Sequence, residues 1–185
     1  ISKYYLKPGF AFGGSCLPKD VRALSFMAND KDVSLPLVNS LIPSNNAHIN
    51  RAFNIINKYK DKKIGIMGFS FKDGTDDIRE SPIISLIELC SQNNLDIKVY
   101  DPNINLDRLI GSNKESLEGS SFNLRENFIT NVDDFISQSE FIIIGNGNKS
   151  FISELEKKSD NQMVLDLVGL DLKNILGSRY MGFCW

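Results

Sequence analysis

Histidine occurs once in this chain, at His48, and that scarcity removes several chemistries together. A Ser-His-Asp or Cys-His arrangement needs an imidazole beside its nucleophile, and a zinc site needs a Cys/His cluster that is absent here, so no metal is expected. Cysteine is nearly as sparse. Cys16, Cys90 and Cys184 are odd in number and far apart, which argues against a disulfide framework and fits a reducing cytoplasm. No apolar run approaches the roughly 18 residues that span a bilayer, so no membrane partner is expected. Positive charge is not in excess either: the formal net charge is −2, without the basic surface that would advertise nucleic acid. Internal repeats and low-complexity segments are missing. So is a Gly-x-Gly-x-x-Gly after a strand, because Gly65-Ile66-Met67-Gly68 has the wrong spacing for that dinucleotide fingerprint. The chain starts at Ile1 rather than Met, and Ile-Ser-Lys-Tyr-Tyr is no signal peptide; a piece of a longer protein is expected.

What is present is an ordinary globular composition, with 42% hydrophobic and 24% charged residues in 185. That length suits one domain plus a smaller appendage. Two textures divide the chain. Residues 1–60 read as a Gly-rich loop followed by helices, and residues 61–185 as alternating strands and helices. In the first part, Ser15 can cap a helix beginning near Pro18 with Val21, Leu24 and Ala28 on one face. Asn29-Asp30 and Asp32 end it. A longer helical stretch, from about Leu35 to Lys58, carries Leu37, Leu41, Ile49, Phe53, Ile55 and Ile56, and Pro43 should kink or split it. Its apolar stripe suits packing on the second part or a subunit or interdomain contact.

The second part opens with a buried strand at Lys63–Phe69. Ser81-Pro82 reads as the N-cap and first-turn proline of a helix over Ile83–Ser91. Further strands are predicted at Asp96–Pro102, Phe141–Gly145 and Met163–Val168, the last closing the series, with helices at Val132–Gln138 and Phe151–Lys158. Apolar strands alternating with helices imply a parallel sheet with crossovers, an α/β fold in three layers. Ligands in such sheets sit beyond the carboxyl ends of strands, which directs attention to the loops 69–81, 101–105 and 145–150.

The chemistry concentrates in Gly13-Gly14-Ser15-Cys16-Leu17-Pro18-Lys19-Asp20. Gly9, Gly13 and Gly14 let the backbone take angles closed to other residues and approach a ligand. Cys16 falls just before, or within, the first turn of a helix, where unpaired N–H groups, the helix dipole and Lys19 all favour a thiolate. A thiolate can attack a carbonyl carbon and hold a covalent intermediate. The residues alone leave a second reading open, since a free cysteine is commonly a small buried hydrophobe. Cys90, among Leu86, Ile87 and Leu89, fits that second description.

Two blocks carry a resemblance. Pro8-Gly9-Phe10-Ala11-Phe12-Gly13-Gly14-Ser15-Cys16-Leu17-Pro18-Lys19-Asp20 resembles the active-site segment of the UDP-glucose/GDP-mannose dehydrogenase family. Gly68-Phe69-Ser70-Phe71-Lys72-Asp73-Gly74-Thr75-Asp76-Asp77-Ile78-Arg79-Glu80-Ser81-Pro82 resembles its C-terminal-domain signature. The blocks stand in the family's order, and the likeness runs over essentially the whole chain. Tyr4-Tyr5, Phe10-Ala11-Phe12, Leu17, Gly145-Asn146-Gly147 and Cys184-Trp185 are most similar to the GDP-mannose branch; UDP-glucose enzymes more often carry Phe after the cysteine.

The resemblance implies a Rossmann-like C-terminal nucleotide-sugar-binding α/β domain over 61–185, preceded by the active-site cysteine loop and central helices over 1–60. It implies oxidation of a sugar nucleotide's primary alcohol to a carboxylate with two NAD, through a thiohemiacetal and thioester on Cys16. Asp20, four residues on and on the same helical face, would position or deprotonate water; alternatively it is a solvated first-turn carboxylate. Lys19 and Arg79 would contact NAD, as cations suited to a pyrophosphate. Without the resemblance, Arg79 reads as a partner for Glu80 or Asp76. Lys72 would bind substrate, and Tyr4, Tyr5, Phe10 and Gly13 match the substrate loop. Lys7 matches a basic position that reaches the partner's substrate across a homodimer. The family's NAD-binding Rossmann domain, with its oxyanion-stabilising lysine and asparagine, should precede Ile1. UDP-glucose is the alternative substrate, and a non-catalytic nucleotide-binding or dimerisation module is the alternative of another class.

Overall fold

A computed structural model describes residues 9–109, 111, 122–158 and 161–184. Helix α1 spans Leu17–Asp30 and helix α2 spans Pro36–Ile56, followed by a 3-10 turn at Asn57–Tyr59. The chain then alternates through β1 (Ile64–Met67), α3 (Pro82–Gln92), β2 (Ile97–Tyr100), α4 (Leu124–Asn127), α5 (Val132–Ser137), β3 (Phe141–Ile144), α6 (Ser150–Lys158), β4 (Met163–Asp166), α7 (Lys173–Leu176) and β5 (Tyr180–Gly182). The described strands form one parallel sheet in the order β2-β1-β3-β4-β5.

Strand side chains alternate between two cores, which makes the fold three-layered as predicted. Ile64, Ile66, Phe141, Ile143 and Leu165 face one side, where Ile83, Leu86, Ile87 and Cys90 of α3 and Ile49, Ala52 and Ile56 of α2 cover them. Met67, Ile142, Ile144 and Val164 face the other, against Phe135 and Ile136 of α5 and Phe151 and Leu155 of α6. The C-terminal half of α2 therefore belongs to the sheet's own core.

Several local expectations change. Cys16, not Ser15, is the N-cap of α1, and no side chain caps the helix. Pro18 in the first turn removes one N–H that a capping oxygen could take, and Cys16 itself has a helical backbone at φ −98, ψ −63. The buried stripe of α1 runs through Pro18, Val21 and Ala28. Leu24 lies off it and is exposed, as are Phe26 and Met27. Pro43 does not split α2, which continues through it. Ser81 is the N-cap of α3, but its hydroxyl donates to the Phe69 carbonyl at 3.1 Å instead of capping. Met163–Val168 does not close the sheet: β5 adds an edge strand.

Two buried carboxylates hold the carboxyl ends of the strands. Asp101, after β2, accepts hydrogen bonds from the Phe69 and Ser70 amides at 3.0 Å, the Asn146 side-chain amide at 3.1 Å and the Asn103 amide at 3.0 Å. Asp166, at the end of β4, accepts from the amides of Val168, Gly169 and Leu170 at 2.7–2.9 Å and from the Tyr180 hydroxyl, which ties β5 to the sheet. Among the described residues Asp101 pairs with no cation; it satisfies N–H groups that would otherwise be orphaned in the interior. Asp101→Ala is expected to lower stability by about 3 kcal/mol, read as a lower urea midpoint at unchanged slope.

Candidate active site

The strand order reverses between β1 and β3: β2 follows β1 on one side, while β3 returns to the other. Crevices at such reversals lie outside the carboxyl ends of the strands and hold ligands in open α/β sheets. A cavity of about 400 Å³ opens there, lined by Gly9–Ala11, Ser70–Asp73, Ser81–Ile83, Gly145–Gly147 and Leu167–Val168. Its floor is tightly built. A Cβ on Gly145 would collide with the Gly68 carbonyl, and Gly68, at φ +84, admits none against Asn146. Asn146 donates to Ser70 Oγ at 2.9 Å and to Asp101, so the ends of β1, β2 and β3 are cross-braced beneath the opening. Lys72 and Phe10, both expected from the sequence as substrate residues, line this cavity.

Phe10 anchors the loop that forms one wall. It is 5% exposed and meets Phe183 edge-on at 5.6 Å, while the Arg51 guanidinium lies over the Phe183 ring at 5.2 Å. Cys184 donates its S–H to the Gly9 carbonyl at 3.4 Å, and burial pushes its thiol up. On the opposite side, Asn45 of α2 grips the backbone of Phe12 with both ends of its amide, each bond 2.9 Å. Asn45 was not singled out in the sequence. Its signal was a polar residue within the Asn45, Ile49, Ala52, Ile56 stripe.

The cysteine loop then crosses to the second signature block. Gly13 is buried with no room for a side chain, because a Cβ would strike the Glu80 carbonyl and lie 2.6 Å from Pro82 Cδ. Gly14 sits at φ +81 against Phe71, where an added Cβ would lie 2.6 Å from the ring, and its amide donates to the Glu80 carbonyl at 3.1 Å. Phe71 is itself a wall of the cavity. Cys16 follows, exposed, at the head of α1, with Ser15 Oγ at 3.9 Å from its sulfur. The thiol is therefore not among the residues lining the cavity; it stands next to one wall, two residues beyond Gly14.

Lys19 and Asp20 project from the first turn, each two-thirds exposed, with 3.6 Å between ammonium and carboxylate. Arg79 is neither Glu80's partner nor free: Asp77 forks it at 2.9 and 3.0 Å. Those bonds hold Asp77 below the usual carboxylate range and push Arg79 up, and a charged Cys16 adds a smaller favourable field at Arg79. Glu80 is taken instead by Arg22 of α1, at 2.6 and 2.9 Å. This fork lowers the Glu80 carboxyl, so the pair is charged at neutral pH and is lost only as pH falls through that lowered value. Cys90 is fully buried, and burial raises its thiol to about 12. Tyr4, Tyr5 and Lys7 lie outside the described residues.

Among the described residues no three His, Cys, Asp or Glu gather as metal ligands, and no helix is long and apolar enough to cross a membrane. For a nicotinamide dinucleotide, Lys19 at the head of α1 is an exposed cation of the sign a diphosphate needs, whereas Arg79 is half-buried with Nε and one terminal nitrogen already held by Asp77.

A parallel, doubly covered sheet with a crevice at its switch point, and a cysteine-bearing loop seated beside it, defines a Rossmann-like α/β protein with an exposed cysteine beside its crevice. The chain belongs to the UDP-glucose/GDP-mannose dehydrogenase family: the family's UDP binding domain matches residues 65–178 and its central domain residues 1–47. Over its whole length it is 37% identical to the GDP-mannose 6-dehydrogenase of Pseudomonas aeruginosa and 40% identical to that of Pseudomonas syringae pv. tomato, spanning 42% of each. It also superimposes on a crystal structure of a ternary complex of GDP-mannose dehydrogenase from Pseudomonas aeruginosa with a TM-score of 0.88 at 38% identity, covering all of this chain and 42% of that one. The chain thus spans less than half the length of the curated relatives it matches.

Proposed function

We propose that this chain is the cysteine-bearing C-terminal part of a cytoplasmic, NAD-dependent nucleotide-sugar dehydrogenase that oxidises GDP-mannose to GDP-mannuronate. The observation that carries the proposal is the seating of the Cys16 loop, through Gly14 on Phe71, against the wall of the switch-point cavity. A nucleotide in that cavity would meet Lys72 and the Phe10 loop, leaving the sugar to extend toward Cys16. The likeness to GDP-mannose 6-dehydrogenases over the full chain supports the choice of sugar nucleotide.

When bound, NAD would supply the hydride acceptor for both oxidations, and Lys19, with the guanidinium edge of Arg79 that Asp77 does not take, would hold it. The chain's own residues do the covalent work. Cys16 Sγ, as thiolate, adds to the C6 aldehyde and holds the carbon as a thiohemiacetal. Oxidation at that carbon leaves a thioester on the same sulfur. Asp20 orients and takes a proton from the water that attacks the thioester carbon; the C–S bond breaks, the acid leaves, and Cys16 is restored as its thiolate. Helix α2 presents Leu37 and Leu41 outward, 78% and 37% exposed, as part of a contact between copies in a homodimer or larger oligomer.

UDP-glucose is the second reading, drawn from the UDP binding description of the matched domain. The test is NAD reduction by the full-length protein with each sugar nucleotide. GDP-mannose is expected to give a kcat/KM at least about tenfold higher; a strong preference for UDP-glucose would overturn the substrate assignment.

A further inference from the structure

We propose that Glu80 is a positioning residue for Cys16, and that its ion pair with Arg22 sets where the thiol sits against the cavity wall. The inference rests on Cys16 being the nucleophile. Glu80 collects three contacts from the segment that carries Cys16. Its carbonyl accepts the Gly14 amide at 3.1 Å, and the same carbonyl fills the space where Gly13 would carry a Cβ. Its carboxylate receives the Arg22 fork at 2.6 and 2.9 Å.

Gly14 is two residues before Cys16 and Arg22 six after it. The thiol is therefore bracketed, with both sides fastened to one residue of the α/β unit. Glu80 turns its carbonyl and carboxylate to the same neighbour by adopting φ +47, a left-handed conformation that non-glycine residues seldom take. Its own position is fixed from behind. Ser81, at the N-cap position of α3, donates its hydroxyl to the Phe69 carbonyl just beyond β1, and Pro82 both starts α3 and abuts Gly13. A shift of the cavity's rim would be passed to Cys16 through this point.

The role is alignment more than stability. The two side chains are 54% and 43% exposed, and ion pairs at such sites add little to folding. A two-pronged guanidinium–carboxylate fork nevertheless fixes direction as well as distance. Displacements near 1 Å at a reacting group cost rate far more than they cost folding. Arg79, the neighbouring cation, cannot take over, because Asp77 already occupies its fork.

The test uses the full-length protein with Glu80→Gln, Arg22→Gln and the exchanged pair Arg22→Glu/Glu80→Arg. Each single variant is expected to lose about tenfold or more in kcat, with KM for the sugar nucleotide within about twofold and Tm within about 2 °C. The exchanged pair is expected to recover at least about a third of the wild-type kcat, since it restores the fork with its charges swapped. Single variants that keep kcat within about twofold of wild type would overturn the inference, as would kcat, KM and Tm worsening together, or an exchanged pair no faster than the singles. Cys16→Ser in the same assay separates the two claims. Acid formation by Cys16→Ser removes the nucleophile reading itself, whereas unchanged Glu80→Gln beside an inactive Cys16→Ser removes this inference alone.

Discussion

Cys16→Ser in the full-length protein is expected to abolish acid formation, a loss on the order of 10³-fold or more in kcat. The hydroxyl is a poor nucleophile unless a base takes its proton. The only histidine, His48, lines a different cavity, beside Leu41, Ser44 and Asn45 of α2. The Cys16 thiol is exposed, and its hydrogen-bond partner among the described residues is Ser15 at 3.9 Å, so the substitution should move stability by no more than about 0.5 kcal/mol. The loss would therefore be chemical and not a loss of fold. Acid production by Cys16→Ser at near wild-type rate, with two NADH per sugar, would end the nucleophile assignment.

Gly13→Ala is the second large effect, and its origin is steric. Glycine at this position needs no unusual backbone angle; what it provides is the missing Cβ. An added methyl would overlap the Glu80 carbonyl and come within 2.6 Å of the Pro82 ring. Neither obstacle can swing aside, since one is backbone and the other a proline at the first turn of α3. The cysteine loop must move instead. Overpacking of this kind costs about 1–3 kcal/mol, and displacing a nucleophile by ~1 Å costs about 10²-fold in rate. Steady-state kinetics with a urea unfolding curve on the same variant measures both. Gly9→Ala, whose Cβ would meet nothing within 4 Å, is expected to leave the unfolding midpoint in place. A Gly13→Ala protein with wild-type kcat and midpoint would show that the loop is not held by this contact.

Much of the fold was legible because the central strands carry their own signal. Ile64–Met67 and Phe141–Ile144 are apolar on both faces, as strands covered by helices on two sides must be. β5 carried none: three residues, Tyr180-Met181-Gly182, half-buried at the sheet's edge and without alternation. Leu24 misled for a related reason. Spacing admitted it to the stripe of α1, and only packing shows that the buried line runs Pro18–Val21–Ala28 and leaves Leu24 in solvent. Strand order was also beyond reach, since β1 lies between β2 and β3 through contacts made far apart in sequence.

The candidate site divides in the same way. Cys16, Lys72 and Arg79 stand in motifs whose residue types announce charge and reactivity. The residues that relate those motifs to each other do not. Glu80 meets Arg22 across 58 positions and Asn45 meets Phe12 across 33, and neither pairing has a local pattern. Asp101, just after β2, falls in the 101–105 loop that the sequence marks only as a strand end. Its place as the buried acceptor for the Phe69, Ser70, Asn103 and Asn146 N–H groups emerges only when the strand ends converge.

The measurement that bears most directly on the covalent role of Cys16 is the yield of NADH per GDP-mannose consumed by the full-length protein, with the sugar product identified. A thiol that captures the aldehyde before it escapes predicts two NADH per sugar and GDP-mannuronate as the sole product. One NADH per sugar, with free aldehyde released, would contradict it.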